Sequence, residues 1–241
     1  MRTICLIQAR MGSTRLRGKV LQLILGRPML WWDVYRINRC RFVDQVVIAT
    51  TTDERDDVIV ELCQREGWAY SRGSEDDVLD RYYQAAKEWD AECIVRITSD
   101  CPLIDPQVSD YVIAGFHSAA PHLDYASNIA QRTYPRGLDT EVFSRQALER
   151  AWHEDGSIQR REHVTPFIAQ QPDKFRLHSI CNPVDYSQHR WTVDTAEDLA
   201  LVRLVYEHFG HGDFGWQDVL SVLEEYPQWS EINRHIRQKA G

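Results

Sequence analysis

The sequence predicts an α/β fold with a doubly wound, mostly parallel sheet, from two periodic patterns and the order in which they occur. Apolar runs of strand type, each followed by a polar loop, occupy residues 3–8, 45–50 and 93–98. Amphipathic patterns of helix type lie between and after them, at residues 28–40, 53–66 and 75–89. Strands and helices that alternate in this order form a parallel sheet with helices on both faces.

Two residues mark the ends of these predicted helices. Pro28 suits a first helical turn, and Gly67 follows the second pattern, where a C-terminal glycine belongs. The polar loops after the three strands begin at Arg10, Thr51 and Ser99. Because ligands of parallel sheets bind outside the C-terminal ends of the strands, these loops predict the edge that carries the site.

From about residue 121 the pattern changes to shorter strand-type runs, which are 123–128, 138–143 and 175–180. These runs predict a small antiparallel extension, which would carry a second substrate or a dimer contact.

The last part of the chain has helical patterns. Residues 194–210 predict an amphipathic helix, and residues 216–240 predict a helical tail. With 43% hydrophobic content, the chain can bury one large core. We therefore expect a single domain over residues 1–241, with the extension at 121–185 and the C-terminal helical tail at 211–241.

The distribution of charge favours a small polyanion over nucleic acid. The formal net charge is −8, yet residues 1–41 carry nine Arg or Lys side chains and one acid. Such an asymmetry places positive charge at the first loop of an otherwise acidic protein.

The six cysteines form no C-x-x-C pair and no metal-ligand spacing with histidine, so neither a zinc site nor a disulfide framework is predicted. No signal peptide is visible, and no apolar run is long enough to cross a membrane. We expect a cytoplasmic protein without a membrane or nucleic-acid partner.

The loop after the first strand has the composition of a polyphosphate-binding loop and reads IQARMGSTRLRGK. Its glycines and hydroxyl let backbone N–H groups approach an anion, and its cations pair with phosphate oxygens. The first group is Gly12, Ser13 and Gly18, and the second is Arg10, Arg15 and Lys19. A basic surface turn is the alternative interpretation.

An ATPase-type P-loop is excluded by spacing. That motif has four residues between its first glycine and the Gly-Lys pair, and a hydroxyl residue after the lysine. Here five residues separate Gly12 from Gly18, and Val20 follows Lys19.

The same loop resembles the signature of nucleotidyltransferases that make CMP-activated sugars. The pattern hydrophobic-x-Ala-Arg-x-Gly-Ser-x-Arg-Leu-x-x-Lys of CMP-sialic acid and CMP-KDO synthetases is matched at Ile7, Ala9, Arg10, Gly12, Ser13, Arg15, Leu16 and Lys19. The chain is still more similar to their relatives known as spore coat polysaccharide biosynthesis proteins, over nearly its whole length. The resemblance implies a Rossmann-like, three-layer α/β/α nucleotidyltransferase.

The resemblance also implies roles for individual residues. Arg10, Lys19 and Asp100 would be catalytic. The nucleotide-binding residues would be Ala9, Arg10, Gly12, Ser13, Arg15, Lys19, Arg72 and Ser74. A structural role is sufficient for Ser74, which is also a good N-cap for the helix that follows it.

Two carboxylates are candidate ligands of a divalent cation. Asp100 follows a strand on the predicted ligand edge, and Asp194 lies between a strand-like run and a helix. The resemblance implies that both hold Mg²⁺ on the triphosphate. The alternatives are an Asx turn at Asp100 and an N-cap at Asp194, although Thr195 can serve as the cap instead.

The segment YPRGLDTEVFS at residues 134–144 combines a cation, a glycine and two acids. It suits recognition of a hydroxylated, anionic small molecule by Arg136, Asp139 and Glu141, with His163 as a further candidate. A β-hairpin turn with solvated charges is the alternative.

Together these features predict a Mg²⁺-dependent cytidylyltransferase that activates a sugar-like acceptor with CTP for polysaccharide or glycan biosynthesis, as a homodimer. A glycosyltransferase is the first alternative, but the Asp-x-Asp metal pair that it would need is absent from the sequence. A non-catalytic nucleotide-binding subunit is the second.

Overall fold

A seven-stranded sheet runs through the computed structural model, which describes residues 1–120 and 122–238. The strands of this sheet and of a separate two-stranded ribbon are Thr3–Gln8 (β1), Leu23–Ile24 (β2), Arg27–Pro28 (β3), Gln45–Thr51 (β4), Ala69–Gly73 (β5), Cys93–Thr98 (β6), Tyr125–Ser127 (β7), Glu141–Ser144 (β8) and Leu177–Ser179 (β9). The order in the large sheet is β5-β4-β1-β6-β8-β7-β9.

Strand directions confirm the mostly parallel sheet. β1 is parallel to both β4 and β6, and β4 is parallel to β5. β8 is antiparallel to its neighbours β6 and β7, whereas β7 and β9 are parallel to each other. The three strands of the 121–185 region therefore continue the main sheet, and antiparallel pairing is found at β8 and in the β2–β3 ribbon.

The helices are Met29–Ile37 (α1), Asp57–Glu66 (α2), Val78–Glu88 (α3), Pro106–Ala119 (α4), Arg145–Glu154 (α5), Ile158–His163 (α6), Pro166–Ala169 (α7), Ala196–Phe209 (α8), Trp216–Glu225 (α9) and Pro227–Ser230 (α10). Short 3-10 turns occupy Lys19–Leu21 and Glu54–Asp56. Among the described residues, none of the helices is long and apolar enough to span a membrane.

Strand β1 shows why the core forms around the middle of the sheet. Cys5 and Ile7 pack into the hydrophobic cluster on one face, and Ile4 and Leu6 pack into the cluster on the other. All four side chains are fully buried. A strand covered by helices on both faces is apolar along its middle, as Ile4 to Ile7 are here.

Local chemistry moves three predicted helix starts. Pro28 pairs in β3 with an extended backbone, so α1 begins one residue later. The 53–66 pattern divides into a 3-10 turn and α2. Asp77, rather than Ser74, caps α3 by accepting a hydrogen bond from the Asp80 N–H.

The predicted C-terminal helix is too long. Its apolar residues Trp216, Val219 and Leu223 pack into a third cluster together with α8. Pro227 lacks the N–H that would continue α9, and a separate short helix follows. Residues 231–238 are not helical, and residue 240 lies outside the described residues.

Gly137 joins the 134–144 segment to the chain that precedes α8. Its φ of +109° is a conformation that favours glycine, and a Cβ there would lie 2.7 Å from the Thr192 nitrogen. The neighbouring backbone forms hydrogen bonds from Arg136 N to His189 O and from Trp191 N to Arg136 O. This close approach sets the position of Arg136 relative to the C-terminal half.

Gly137→Ala is therefore expected to lower the free energy of unfolding by about 2 kcal/mol or more, through backbone strain and the clash. Gly156→Ala is the matched control, because a Cβ at Gly156 would meet no atom within 4 Å. Urea unfolding of both variants checks this expectation. Equal stability of the two would show that the Gly137 contact does not constrain the fold.

Candidate active site

Lys19 lies at the centre of a cleft at the C-terminal edge of the parallel strands. Its ammonium group donates three hydrogen bonds, to Asp100 Oδ2 at 3.0 Å, to Asp194 Oδ1 at 2.9 Å and to Val193 O at 2.9 Å. The two carboxylate oxygens on Lys19 are therefore within about 6 Å of each other. Gly18, at φ +60°, turns the loop into the short 3-10 helix that begins with Lys19.

Backbone contacts hold the two carboxylates together. Asp100 follows β6 by two residues, and its carbonyl oxygen accepts hydrogen bonds from Val193 N at 2.8 Å and from Thr192 Oγ1 at 3.2 Å. On the side chain, Thr98 Oγ1 donates to Asp100 Oδ1 at 2.6 Å. The end of β6 and the segment before α8 thus form one unit.

Asp194 is not the helix cap. Thr195 caps α8, and Asp198 closes the capping box by accepting from the Thr195 N–H. The second oxygen of Asp194, Oδ2, instead accepts from Arg15 at 2.9 Å and from Arg190 at 2.8 Å. The alternative role considered for Asp194 is thereby excluded, and its carboxylate faces cations only.

Burial and charge act in opposite directions on this cluster. Burial alone would lower the pKa of Lys19, but the adjacent Asp100 and Asp194 carboxylates outweigh it and raise that pKa. For Asp100, burial alone would raise the pKa, but the charge of Lys19 and the hydrogen bond from Thr98 lower it. Lys19 and Asp100 are both charged in the folded protein.

The cleft has a volume of about 840 Å³ and a cationic lining. Its cations are Arg10, Arg15, Lys19, Arg81, Arg132 and Arg136, and its acids are Asp100, Asp139, Glu162 and Asp194. Six cations against four acids give a positive site in a chain of net charge −8. Such a site favours an anionic ligand.

Most of the predicted nucleotide-binding residues meet in this cleft, namely Ala9, Arg10, Gly12, Ser13, Arg15 and Lys19. The Arg10 guanidinium forms two ion pairs, from Nη2 to Glu162 Oε1 at 3.4 Å and from Nη1 to Glu75 Oε1 at 3.9 Å. The loop after β4 contacts the loop after β1, since Asp56 accepts a hydrogen bond from the Met11 N–H at 2.6 Å.

Three predicted site residues, Arg72, Ser74 and Glu141, are not in the cleft lining. The Arg72 guanidinium donates to Thr51 O at 2.7 Å and pairs with Asp57, and Ser74 Oγ accepts from Asp77 N. Neither residue is in the cleft lining.

Glu141 is buried beneath the cleft rather than facing it. It forms an ion pair with Arg96 and accepts hydrogen bonds from Tyr125 and Thr165. Strand alternation explains its position, because Glu141 begins β8, where its side chain turns into the core.

The other predicted acceptor residues, Arg136, Asp139 and His163, do line the cleft. Asp139 forms a bidentate ion pair with Arg132, with Nη1 to Oδ1 at 2.6 Å and Nη2 to Oδ2 at 2.8 Å. Among the residues that the structure describes, the guanidinium of Arg136 has no hydrogen-bond or ion-pair partner. Burial and the neighbouring Arg132 charge lower the pKa of Arg136.

Sequence reasoning missed several polar residues of the lining, which are Gln8, Thr14, Arg81, Thr98, Arg132, Gln159 and Gln238. Gln8 and Thr98 end β1 and β6, so the rule that ligands bind at strand ends would have found them. Arg81 lies on α3, where a charged residue gives no such signal.

A family model described as Cytidylyltransferase matches residues 4–214. The chain belongs to the cytidylyltransferase family. The spore coat polysaccharide biosynthesis protein SpsF of Bacillus subtilis is 32% identical over 233 residues, which cover 92% of this chain and 94% of SpsF.

Two further relatives support the same family. The structure of a cytidylyltransferase from Leptospira borgpetersenii matches with a TM-score of 0.92 and 32% identity, covering 100% of both chains. A 3-deoxy-manno-octulosonate cytidylyltransferase of Psychrobacter is 38% identical over 111 residues, which cover 44% of this chain and 39% of that enzyme. The resemblance inferred from the first loop is confirmed, and the cytidylyltransferase family makes this chain a nucleotidyltransferase.

The Lys19 cluster predicts a pH-dependent stability. In the wild type, the lowered pKa of Asp100 stabilises the fold above about pH 4, and this contribution is lost as pH falls through the folded-state pKa. In Lys19→Met, burial is expected to raise the pKa of Asp100 above its unfolded value, so stability is lost as pH rises through it.

The stability deficit of Lys19→Met is thus expected to grow between about pH 4 and pH 7, to about 3 kcal/mol. Urea unfolding across this range measures it. Lys87→Met is the control, because Lys87 is exposed and outside the cleft. A deficit that does not change with pH would contradict the assigned coupling.

Proposed function

We propose that this protein is a Mg²⁺-dependent cytidylyltransferase that joins an oxygen of a sugar-like or sugar-acid-like acceptor to the α-phosphate of CTP and releases pyrophosphate. The observation that carries the proposal is the convergence of Lys19, Asp100 and Asp194 beside the phosphate loop. The relationship to SpsF supports a role in surface polysaccharide or glycan biosynthesis.

The carboxylates fit Mg²⁺ that arrives with a nucleotide. Residues 1–120 and 122–238 contain no cluster of three or more His, Cys, Asp or Glu side chains that could hold a metal ion alone. Asp100 and Asp194 supply two hard oxygen donors on one side of the cleft, and Mg²⁺ is commonly held by one or two carboxylates together with substrate phosphates. Bound there, Mg²⁺ would neutralise charge on the triphosphate.

The chain's own cations would position the triphosphate. Arg10 and Arg15 are paired with Glu162 and Asp194 in the free protein, and phosphate oxygens would replace these carboxylates as their partners. Lys19 would exchange Asp100 and Asp194 for phosphate oxygens in the same way, leaving both carboxylates to the cation. Catalysis then rests on alignment and charge neutralisation.

The proposed reaction is an in-line displacement at the α-phosphorus of CTP. The acceptor oxygen forms a bond to the α-phosphorus, the bond from that phosphorus to the β-bridging oxygen breaks, and pyrophosphate leaves with the electron pair. The acceptor hydroxyl proton is lost to solvent or to a carboxylate of the cleft.

Arg136 supports an anionic acceptor. Its guanidinium lines the cleft without a partner among the described residues, whereas neighbouring Arg132 is neutralised by Asp139. A carboxylate or phosphate of the acceptor would provide the missing partner.

Asp194→Asn is expected to reduce pyrophosphate release from CTP by roughly a hundredfold, because asparagine keeps the size of the side chain but removes the charge that the cation requires. Thr195→Ala is the matched control: loss of the α8 cap is expected to cost about 1 kcal/mol of stability, with activity per folded molecule unchanged. Full Mg²⁺-dependent activity in Asp194→Asn would refute the metal assignment.

The acceptor is found by screening pyrophosphate release from each of four nucleoside triphosphates against sugar acids, sugar phosphates and phosphonates. With that acceptor, Arg136→Lys is expected to raise the acceptor KM about tenfold while the KM for CTP stays the same, because lysine lacks the two-pronged guanidinium. Arg150→Lys, on α5 away from the cleft, is the control. Unchanged acceptor kinetics in Arg136→Lys would place the acceptor pocket elsewhere.

A further inference from the structure

Two arginines, Arg36 and Arg81, are almost completely buried, and they differ in how their guanidinium groups are satisfied. Arg36 is 1% exposed and Arg81 is 2% exposed. A buried guanidinium needs acceptors for its N–H groups, since an unpaired one costs several kcal/mol. This difference in hydrogen bonding distinguishes an arginine with a purely structural role from one that can also bind a ligand.

Arg36 is fully explained by the fold. Its Nε, Nη1 and Nη2 atoms donate to the carbonyl oxygens of Ile104, Gly212 and Phe214, at 2.5, 2.9 and 2.9 Å. These contacts tie α1 to the loops before α4 and α9. No acceptor needs to come from outside the chain.

Arg81 has one such contact. Its Nη1 donates to Ser74 O at 2.5 Å, whereas its Nε is buried with no hydrogen-bond partner. Within residues 1–120 and 122–238 it forms no ion pair, because nearby Asp56 and Glu75 are bound to other groups. A buried cation of this kind requires an explanation.

The position of Arg81 supplies that explanation. It lies in the first turn of α3 and lines the same cleft as Arg10 and Lys19. Gly73 leaves room for it, since a Cβ there would lie 3.0 Å from Arg81 Cγ. Burial, together with the positive charge of Arg10, lowers the pKa of Arg81.

We propose that Arg81 is a nucleotide-binding residue that donates to phosphate oxygens of the triphosphate, alongside Arg10. This inference rests on the proposed function, since it takes the ligand of the cleft to be a nucleoside triphosphate. A phosphate oxygen fits because it is an anionic acceptor that can satisfy two adjacent cations together. No sequence motif selected Arg81.

The proposal explains why an incompletely satisfied arginine is kept in the interior. In the free protein the guanidinium is held in place by Ser74 and by the packing of Gly73, so little motion is needed when an anion arrives. The unsatisfied N–H groups of Arg81 are thus already in position to donate hydrogen bonds to the triphosphate, which would strengthen its binding.

The experiment compares Arg81→Met with Arg36→Met. Isothermal titration with MgCTP and with inorganic tripolyphosphate measures affinity, and thermal unfolding measures stability. Arg81→Met is expected to bind both ligands at least about tenfold more weakly while its melting temperature equals or exceeds that of the wild type. Arg36→Met is expected to show the reverse: a lower melting temperature and unchanged affinity per folded molecule.

Arg81→Lys keeps the charge without the guanidinium, and partial recovery of tripolyphosphate affinity is expected in it. Wild-type affinity of Arg81→Met for tripolyphosphate would overturn the inference, even if its affinity for CTP were reduced. A second contrary result is a fall in the melting temperature of Arg81→Met like that of Arg36→Met, together with unchanged affinity in Arg81→Lys. Tripolyphosphate binding needs neither cytosine nor an acceptor, so it tests the role of Arg81 alone. The proposed function is tested separately, and it is wrong if no acceptor supports pyrophosphate release from CTP.

Discussion

The Lys19 ammonium group is the contact on which the arrangement of the cleft depends. It joins the loop after β1 to Asp100 after β6 and to Asp194 before α8, residues that are 81 and 175 positions away along the chain. Each partner would be costly to bury alone, so the cluster forms only when all three segments are in place. The same requirement brings the loop, the carboxylates and the floor of the cleft into one site.

Carboxylates of the chain already pair with the cations that would bind the triphosphate in the proposed complex. Arg10, Arg15 and Lys19 each have an acidic partner on the chain. These pairs hold long cationic side chains in place, and in the proposed reaction a triphosphate would replace the carboxylates as their partners. Such exchange limits the reorganisation that binding requires, which is the physical basis of preorganisation.

Sequence patterns predicted the elements whose chemistry is local. Residues 3–8 and 93–98 are strands as expected, since each is a short, mostly apolar run of strand-forming residues, and the loop signature identified Lys19. Position in space was harder to predict. Glu141 looked like a pocket residue, but the alternation of β8 buries it against Arg96. Arg81 was not predicted at all, because nothing in a single helix shows which of its charged residues meets a cleft formed by distant segments.

In the proposed reaction, Asp100 and Asp194 hold a divalent cation together with the triphosphate of CTP. Binding of Mn²⁺, used in place of Mg²⁺, tests this arrangement. Electron paramagnetic resonance measures the concentration of free Mn²⁺ as protein is added, with and without a non-hydrolysable CTP analogue. The account predicts weak binding of Mn²⁺ to the protein alone, tight binding to the protein with the analogue, and loss of the tight binding when both aspartates are changed to asparagine. Tight binding that needs no nucleotide, or that survives both substitutions, would contradict it.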